Sequence, residues 1–168
     1  MISPIQIYEG KQQPCEENFR PIQNEERMKP RGGLWTCDYL DAPQYSAWIQ
    51  WCVENSFRGP DFKMWLLKPQ SLDRLLVIDD LSAWNTLPIN EKANNSPDYQ
   101  YIDYEKLAEQ YDGIHLTENF LCRHRLDWSD TTKFSMTIYS WDVPSTLWFR
   151  WCFSSVEPLG EITLNDSL

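Results

Sequence analysis

Glycine, proline and asparagine divide this chain into short apolar runs, and the length and period of those runs restrict its fold more than any other feature. Ile2–Tyr8 alternates apolar and polar side chains and ends at Glu9-Gly10, the pattern of a first strand and its turn. Leu34–Cys37 forms a short strand behind the Gly32-Gly33 pair, and Phe62–Lys68 and Arg74–Ile78 read as buried strands joined by a turn at Ser71–Asp73. Gly113 to Leu116 begins another strand, and Phe134–Trp141 alternates like one. Thr146–Phe153 is an aromatic-rich strand after the bend Val143-Pro144-Ser145, which sets Trp148 and Arg150 on one face and Phe149 and Trp151 on the other. Helical spacing occurs at Ala47, Trp48, Trp51 and Cys52, with Asp41 as the expected N-cap, and again at Tyr104, Leu107, Ala108 and Tyr111. Asp79–Leu87 is a short helix capped by Asp79 or Asp80. Residues 11–31 and 88–102 are polar loops, Thr117–Thr132 is a charged excursion or hairpin, and 159–168 is a fraying tail. The sum is one α+β domain spanning 1–168, a mostly antiparallel split sheet or sandwich with short helices.

Composition narrows the function classes. With 14% aromatic residues and nine Trp, the chain has material for a core, unlike a disordered segment. A net charge of -10 argues against gripping nucleic-acid phosphates, which needs clustered Lys and Arg. It suits a nucleotide or other small ligand, or a basic protein partner. Five cysteines without a Cys-x-x-Cys motif, and no secretory signal, point to reduced thiols and a cytoplasmic location. No apolar run nears the ~20 residues that span a bilayer, so no membrane role is expected.

The candidate chemistry begins at Lys29-Pro-Arg-Gly-Gly-Leu-Trp-Thr-Cys37, where paired glycines bring the backbone close to a bound group and Trp35 follows as a wall. Two later stretches join it in order, Tyr111-Asp112-Gly113-Ile114 and Trp141-Asp142-Val143-Pro144-Ser145. This ordered set resembles the ADP-ribosyltransferase-like fold. There a first strand ends in an Arg-Gly or His-Gly motif, a Gly-Leu-aromatic-Ser/Thr strand follows, and an acidic residue arrives late. This chain has Glu9, preceded by Tyr8, where that family has Arg or His, and it lacks the Glu-x-Glu pair. The resemblance implies NAD as cofactor; from the residues themselves no metal is expected. Asp142 becomes the catalytic carboxylate near the ribose and Thr36 its orienting hydroxyl. Trp35 or Tyr39 becomes the aromatic surface for the departing ring, Arg31 with Gly32 and Gly33 the diphosphate cradle, and Tyr8 a further cofactor contact. The implied function is transfer of ADP-ribose, hydrolysis of NAD, or recognition alone. A carboxylate suits such a site because breaking the nicotinamide–ribose bond builds positive charge on the sugar. The competing reading is a non-enzymatic acidic inhibitor or interaction protein, of viral or mobile-element origin, whose carboxylates meet a basic surface on a host protein.

Each residue also has a plainer role: Arg31 as a solvated charge, Asp142 capping the bend, Asp112 in a tight turn, Ser145 bonding a turn backbone. His115, Glu118, Cys122 and His124 gather metal-ligating types within ten residues, yet their spacing matches no standard zinc pattern, and a polar hairpin is the expectation.

Overall fold

A computed structural model describes residues 2–42, 44–55, 57, 62–96, 99–126 and 132–162. Seven strands form one open sheet: β1 (Gln6–Gly10), β2 (Leu34–Asp38), β3 (Phe62–Pro69), β4 (Leu75–Ile78), β5 (Gly113–Leu116), β6 (Ser145–Trp148) and β7 (Phe153–Ile162). Their order is β4-β5-β6-β2-β1-β3-β7, antiparallel at every junction except β4 with β5. A parallel pair needs a long crossover. Here it carries α2 (Leu81–Asn85) and α3 (Tyr104–Gln110), while α1 (Ala47–Glu54) precedes β3, and α4 (Glu118–His124) and α5 (Ser135–Tyr139) fill the passage from β5 to β6. The α+β, mostly antiparallel reading therefore holds in a single sheet order.

Strands β5 and β6 are buried along their whole length because both sheet faces are covered. Ile114, Leu116 and Leu147 pack with Trp84, Phe120 and Ile138 in the largest core cluster. Trp148, next in sequence to Leu147, belongs to a second cluster with Trp65, Leu67 and Phe153, as the period-2 alternation of a strand requires. A third cluster, around Ile7, Cys37, Ile49 and Met64, seats α1.

Side-chain caps fix several helix starts. Asp80, Asp103 and Thr117 accept from the backbone N–H three residues on. Helix α1 starts later than its apolar spacing suggested: Ser46, not Asp41, accepts from the Ile49 N–H. Tyr45 has φ 56, a left-handed conformation that cannot continue a helix, so the turn closed by the Asp41 carbonyl stays separate.

Four further expectations are corrected. Thr117–Thr132 is not a hairpin within the described residues, because Phe120 and Leu121 face the core from α4; residues 127–131 lie outside the described residues. Phe134–Trp141 holds α5 rather than a strand, since Phe134, Ile138 and Trp141 also recur at helical spacing and all three are buried. The strand expected over Thr146–Phe153 breaks after Trp148, where the Phe149 N–H bonds the Asp112 carbonyl and the Cys152 carbonyl accepts from Gln70. Trp148 and Phe149 are consequently both buried, and Arg150 turns to Asp112 at 3.2 Å. Residues 159–162 are the end of β7, held by β3, rather than the start of a frayed tail; 163–168 lie outside the described residues.

Candidate functional site

Strands β1 and β2 pair at only two positions, Gln6 with Asp38 and Ile7 with Cys37. Beyond them Tyr8–Gly10 follows β3 while Leu34–Thr36 follows β6, so the two strands part. Against this divergence lies a cavity of about 370 Å³. Glu9 and Tyr8 line it from β1, Trp35, Thr36 and Cys37 from β2, and Trp48 from α1. Trp141, Asp142, Val143 and Ser145 enter from the bend before β6, and Lys29 from the loop before β2. Concave and aromatic-walled, with Glu9, Lys29 and Asp142 as its charged groups, the cavity has the character of a small-molecule site.

Its walls pack on one another. Trp35 meets Trp141 edge to face at 4.7 Å between centroids. The Trp141 indole N–H donates to Ser145 Oγ at 2.7 Å, and that hydroxyl donates to the Val143 carbonyl, so the bend is tied to its own wall. Trp48 stacks on Trp51 at 5.0 Å and 9°.

Two carboxyls of unlike environment border the cavity. Glu9 shares strand parity with buried Ile7, so it points into the molecule; burial pushes its carboxyl up to about 7, against the opposing hydrogen bond from Ser46. That bond runs from Ser46 Oγ to Glu9 Oε1 at 2.6 Å, so the residue that caps α1 also holds the acid. The same burial, with Glu9 alongside, raises the Cys37 and Cys52 thiols and keeps them protonated. Asp142 instead receives Arg125 Nη2 at 2.9 Å, while its carbonyl accepts from Arg125 Nη1 at 3.2 Å. Lys29 Nζ lies 4.0 Å from the other Asp142 oxygen and 5.2 Å from the Trp35 ring centroid.

The residues singled out in the sequence fall into three groups. Tyr8, Trp35, Thr36 and Asp142 meet at this cavity. Thr36 gives it a wall, but its buried hydroxyl donates to Gln6 Oε1 and accepts from Trp148 Nε1, each at 2.8 Å, and is committed to the sheet interior. Gly32 and Gly33 instead line a second cavity of about 340 Å³, together with Tyr8, Arg20 and Trp151. Both have positive φ, the Gly33 N–H bonds the Arg20 carbonyl at 2.8 Å, and a Cβ on Gly32 would collide with the Pro21 carbonyl. This pair thus folds a loop tightly instead of leaving both amides open to a phosphate. Arg31 is exposed and pairs with Glu25 at 2.8 Å, and Tyr39 packs beside the cluster of Ile7 and Ile49. Glu9, Lys29, Trp48 and Trp141 also line the cavity but received no ligand role from the sequence, although Lys29 and Trp141 open two of the stretches singled out there. For Glu9 a signal existed: an acid at the inward parity of a strand whose other inward residue is Ile7.

His115 is buried in β5 with its Nδ1 2.8 Å from Thr146 Oγ1, and burial lowers its pKa. Glu118, Cys122 and His124 lie on α4. Among the described residues no group of three or more His, Cys, Asp or Glu is placed to hold a metal ion, and no helix is long and apolar enough to cross a membrane. All five cysteines are free thiols. Comparison with protein-family models, curated proteins and solved structures finds no match to the chain.

Proposed function

We propose that this chain is an ADP-ribosyltransferase-like protein that binds NAD or a related nucleotide where β1 and β2 diverge and acts on its N-glycosidic bond. The observation that carries this reading is the pairing of an aromatic-walled cleft with a carboxyl, Glu9, poised near neutral pH. Trp35, Trp48 and Trp141 offer ring faces and edges to a flat heterocycle, and a pyridinium gains a further cation–π attraction there. Nicotinamide leaves with the electrons of the broken C–N bond and needs no proton, whereas the sugar carbon becomes positive and the incoming nucleophile must lose a proton. Ionised Glu9 serves both needs, by stabilising the cation and by accepting that proton. On this reading Glu9 replaces Asp142 as the catalytic carboxylate, and Asp142, paired with Arg125, belongs to the mouth of the cleft.

The test is a titration of the purified protein with NAD, followed by Trp fluorescence and saturation-transfer NMR, with free nicotinamide assayed afterwards. Saturable binding, lost in Trp35→Ala, together with nicotinamide release that rises with pH through about 7, is the expected result. No binding at millimolar NAD would sink the reading. Binding without release would remove the reaction and leave recognition.

A further inference from the structure

The cation at the mouth of the cleft is poorly matched to its partner. Asp142 is already engaged by Arg125 through both its carboxylate and its carbonyl. Arg125 is further braced by the Tyr139 carbonyl at 3.4 Å. The Lys29 ammonium sits 4.0 Å from the remaining Asp142 oxygen, beyond hydrogen-bond reach. It also lies 5.2 Å from the centroid of the Trp35 ring. Two cations therefore share one carboxylate, which leaves surplus positive charge beside an aromatic wall.

The lysine is nonetheless held in position. Its loop closes on a two-way backbone bridge between Gln23 and Arg31, at 2.9 and 3.0 Å. Asn24, next to that bridge, donates to Asp103 at 2.7 Å and accepts from the Tyr104 N–H, fastening the loop to the start of α3. Lys29 is 43% exposed, so an incoming group reaches it without unfolding the loop. Arg31, two residues on, pairs with Glu25 at 2.8 Å, a carboxylate that Arg27 also approaches at 3.6 Å, and it does not line this cavity.

We propose that Lys29 reads the anionic group of the occupant, exchanging its long contact with Asp142 for a phosphate, so that the cleft selects nucleotides over nucleosides. This rests on the reading of the cleft as a nucleotide site and adds the group that recognises charge. Partial burial and the nearby Arg125 both disfavour a charged lysine here, and a phosphate relieves that cost more fully than a shared carboxylate at 4.0 Å. An exposed ion pair of this length is worth under about fivefold in an equilibrium, whereas a charge-assisted hydrogen bond is worth roughly ten- to a hundredfold.

The experiment measures calorimetric affinities of adenosine, AMP, nicotinamide riboside and nicotinamide mononucleotide for the full chain and for Lys29→Gln, Lys29→Arg and Asp142→Asn. The expected result is a preference of about ten- to a hundredfold for each monophosphate over its nucleoside in the unsubstituted protein. Lys29→Gln abolishes that preference by lowering monophosphate affinity to that of the nucleoside, and Lys29→Arg keeps it. Asp142→Asn retains an acceptor for Arg125 and frees the lysine, so it raises monophosphate affinity several-fold. Nucleosides and monophosphates binding equally, Lys29→Gln retaining the preference, or Asp142→Asn lowering monophosphate affinity would each overturn the role of Lys29 while leaving the nucleotide site standing. If none of the four probes binds, both readings fall.

Discussion

The two sides of the β1–β2 junction use neighbouring residues of the same strands in opposite ways. On one side Gln6, Thr36, Asp38 and Trp148 form a closed polar chain: Trp148 donates to Thr36, Thr36 to Gln6, and Gln6 to Asp38 at 2.6 Å. Gln6, Thr36 and Trp148 are buried, and their side-chain polar groups are partnered. On the other side Glu9 carries a carboxyl that burial makes costly to ionise, and Lys29 has a partner it does not reach. A satisfied network stabilises and specifies a fold, whereas an unsatisfied one costs stability and is retained where a ligand or a reaction completes it. The proposed chemistry therefore falls on the second side, although the first holds more of these polar groups.

The largest expected effect comes from removing the costly acid. Glu9→Gln should lower nicotinamide release by about a hundredfold or more, measured by chromatography of the products. It should also raise the melting temperature at pH 8, because no charge need then be buried. Glu9 further predicts a pH-dependent stability. Its folded pKa of about 7 exceeds the ordinary 4.5, so its contribution is most favourable below pH 4.5 and is lost as pH rises through 7. Urea titrations across that window should detect a loss of up to about 3 kcal/mol from this group, and Glu9→Gln should flatten the slope.

On the closed side, Thr36→Val orphans the Trp148 donor and the Gln6 acceptor and should cost about 1–3 kcal/mol in chemical denaturation. It should leave NAD affinity unchanged; a marked loss of affinity would restore a ligand role to that hydroxyl. Ser46→Ala tests fold and site together, because Ser46 both caps α1 and holds Glu9. Loss of the cap should cost about 1 kcal/mol. Loss of the bond that lowers the Glu9 pKa should move the midpoint of the pH–rate profile upward, measured as nicotinamide release from pH 6 to 9. Smallest of all, Arg31→Ala removes an exposed ion pair and should change stability by under about 1 kcal/mol, with NAD affinity unaltered. A large drop in affinity would return the phosphate cradle to Arg31.

Local signals carried much of the fold. The alternation around Ile7, the Gly-Gly turn before Leu34, and the helical spacing after Asp103 each depend on residues close in sequence, and each became the expected type of element. The failures share a cause. Phe134–Trp141 fits both a strand and a helix period, and burial of Ile138 within α5 and of Phe134 and Trp141 at its two ends decided between them. The run from Thr146 to Phe153 looks continuous, yet backbone bonds from Asp112 and Gln70, distant in sequence, interrupt it.

For the site, the sequence by itself supplied the aromatic and acidic material: Tyr8, Trp35 and Asp142 were legible as a set and do meet at one cavity. Tertiary structure alone decided which carboxyl is perturbed and which cation is left unmatched. A pKa depends on how much solvent the fold removes from a group, and the surroundings of Glu9 come from α1 as well as from its own strand. Charge matching at Lys29 likewise depends on Arg125, almost a hundred residues away in the chain and brought within reach only by the packing of α4 against the bend before β6.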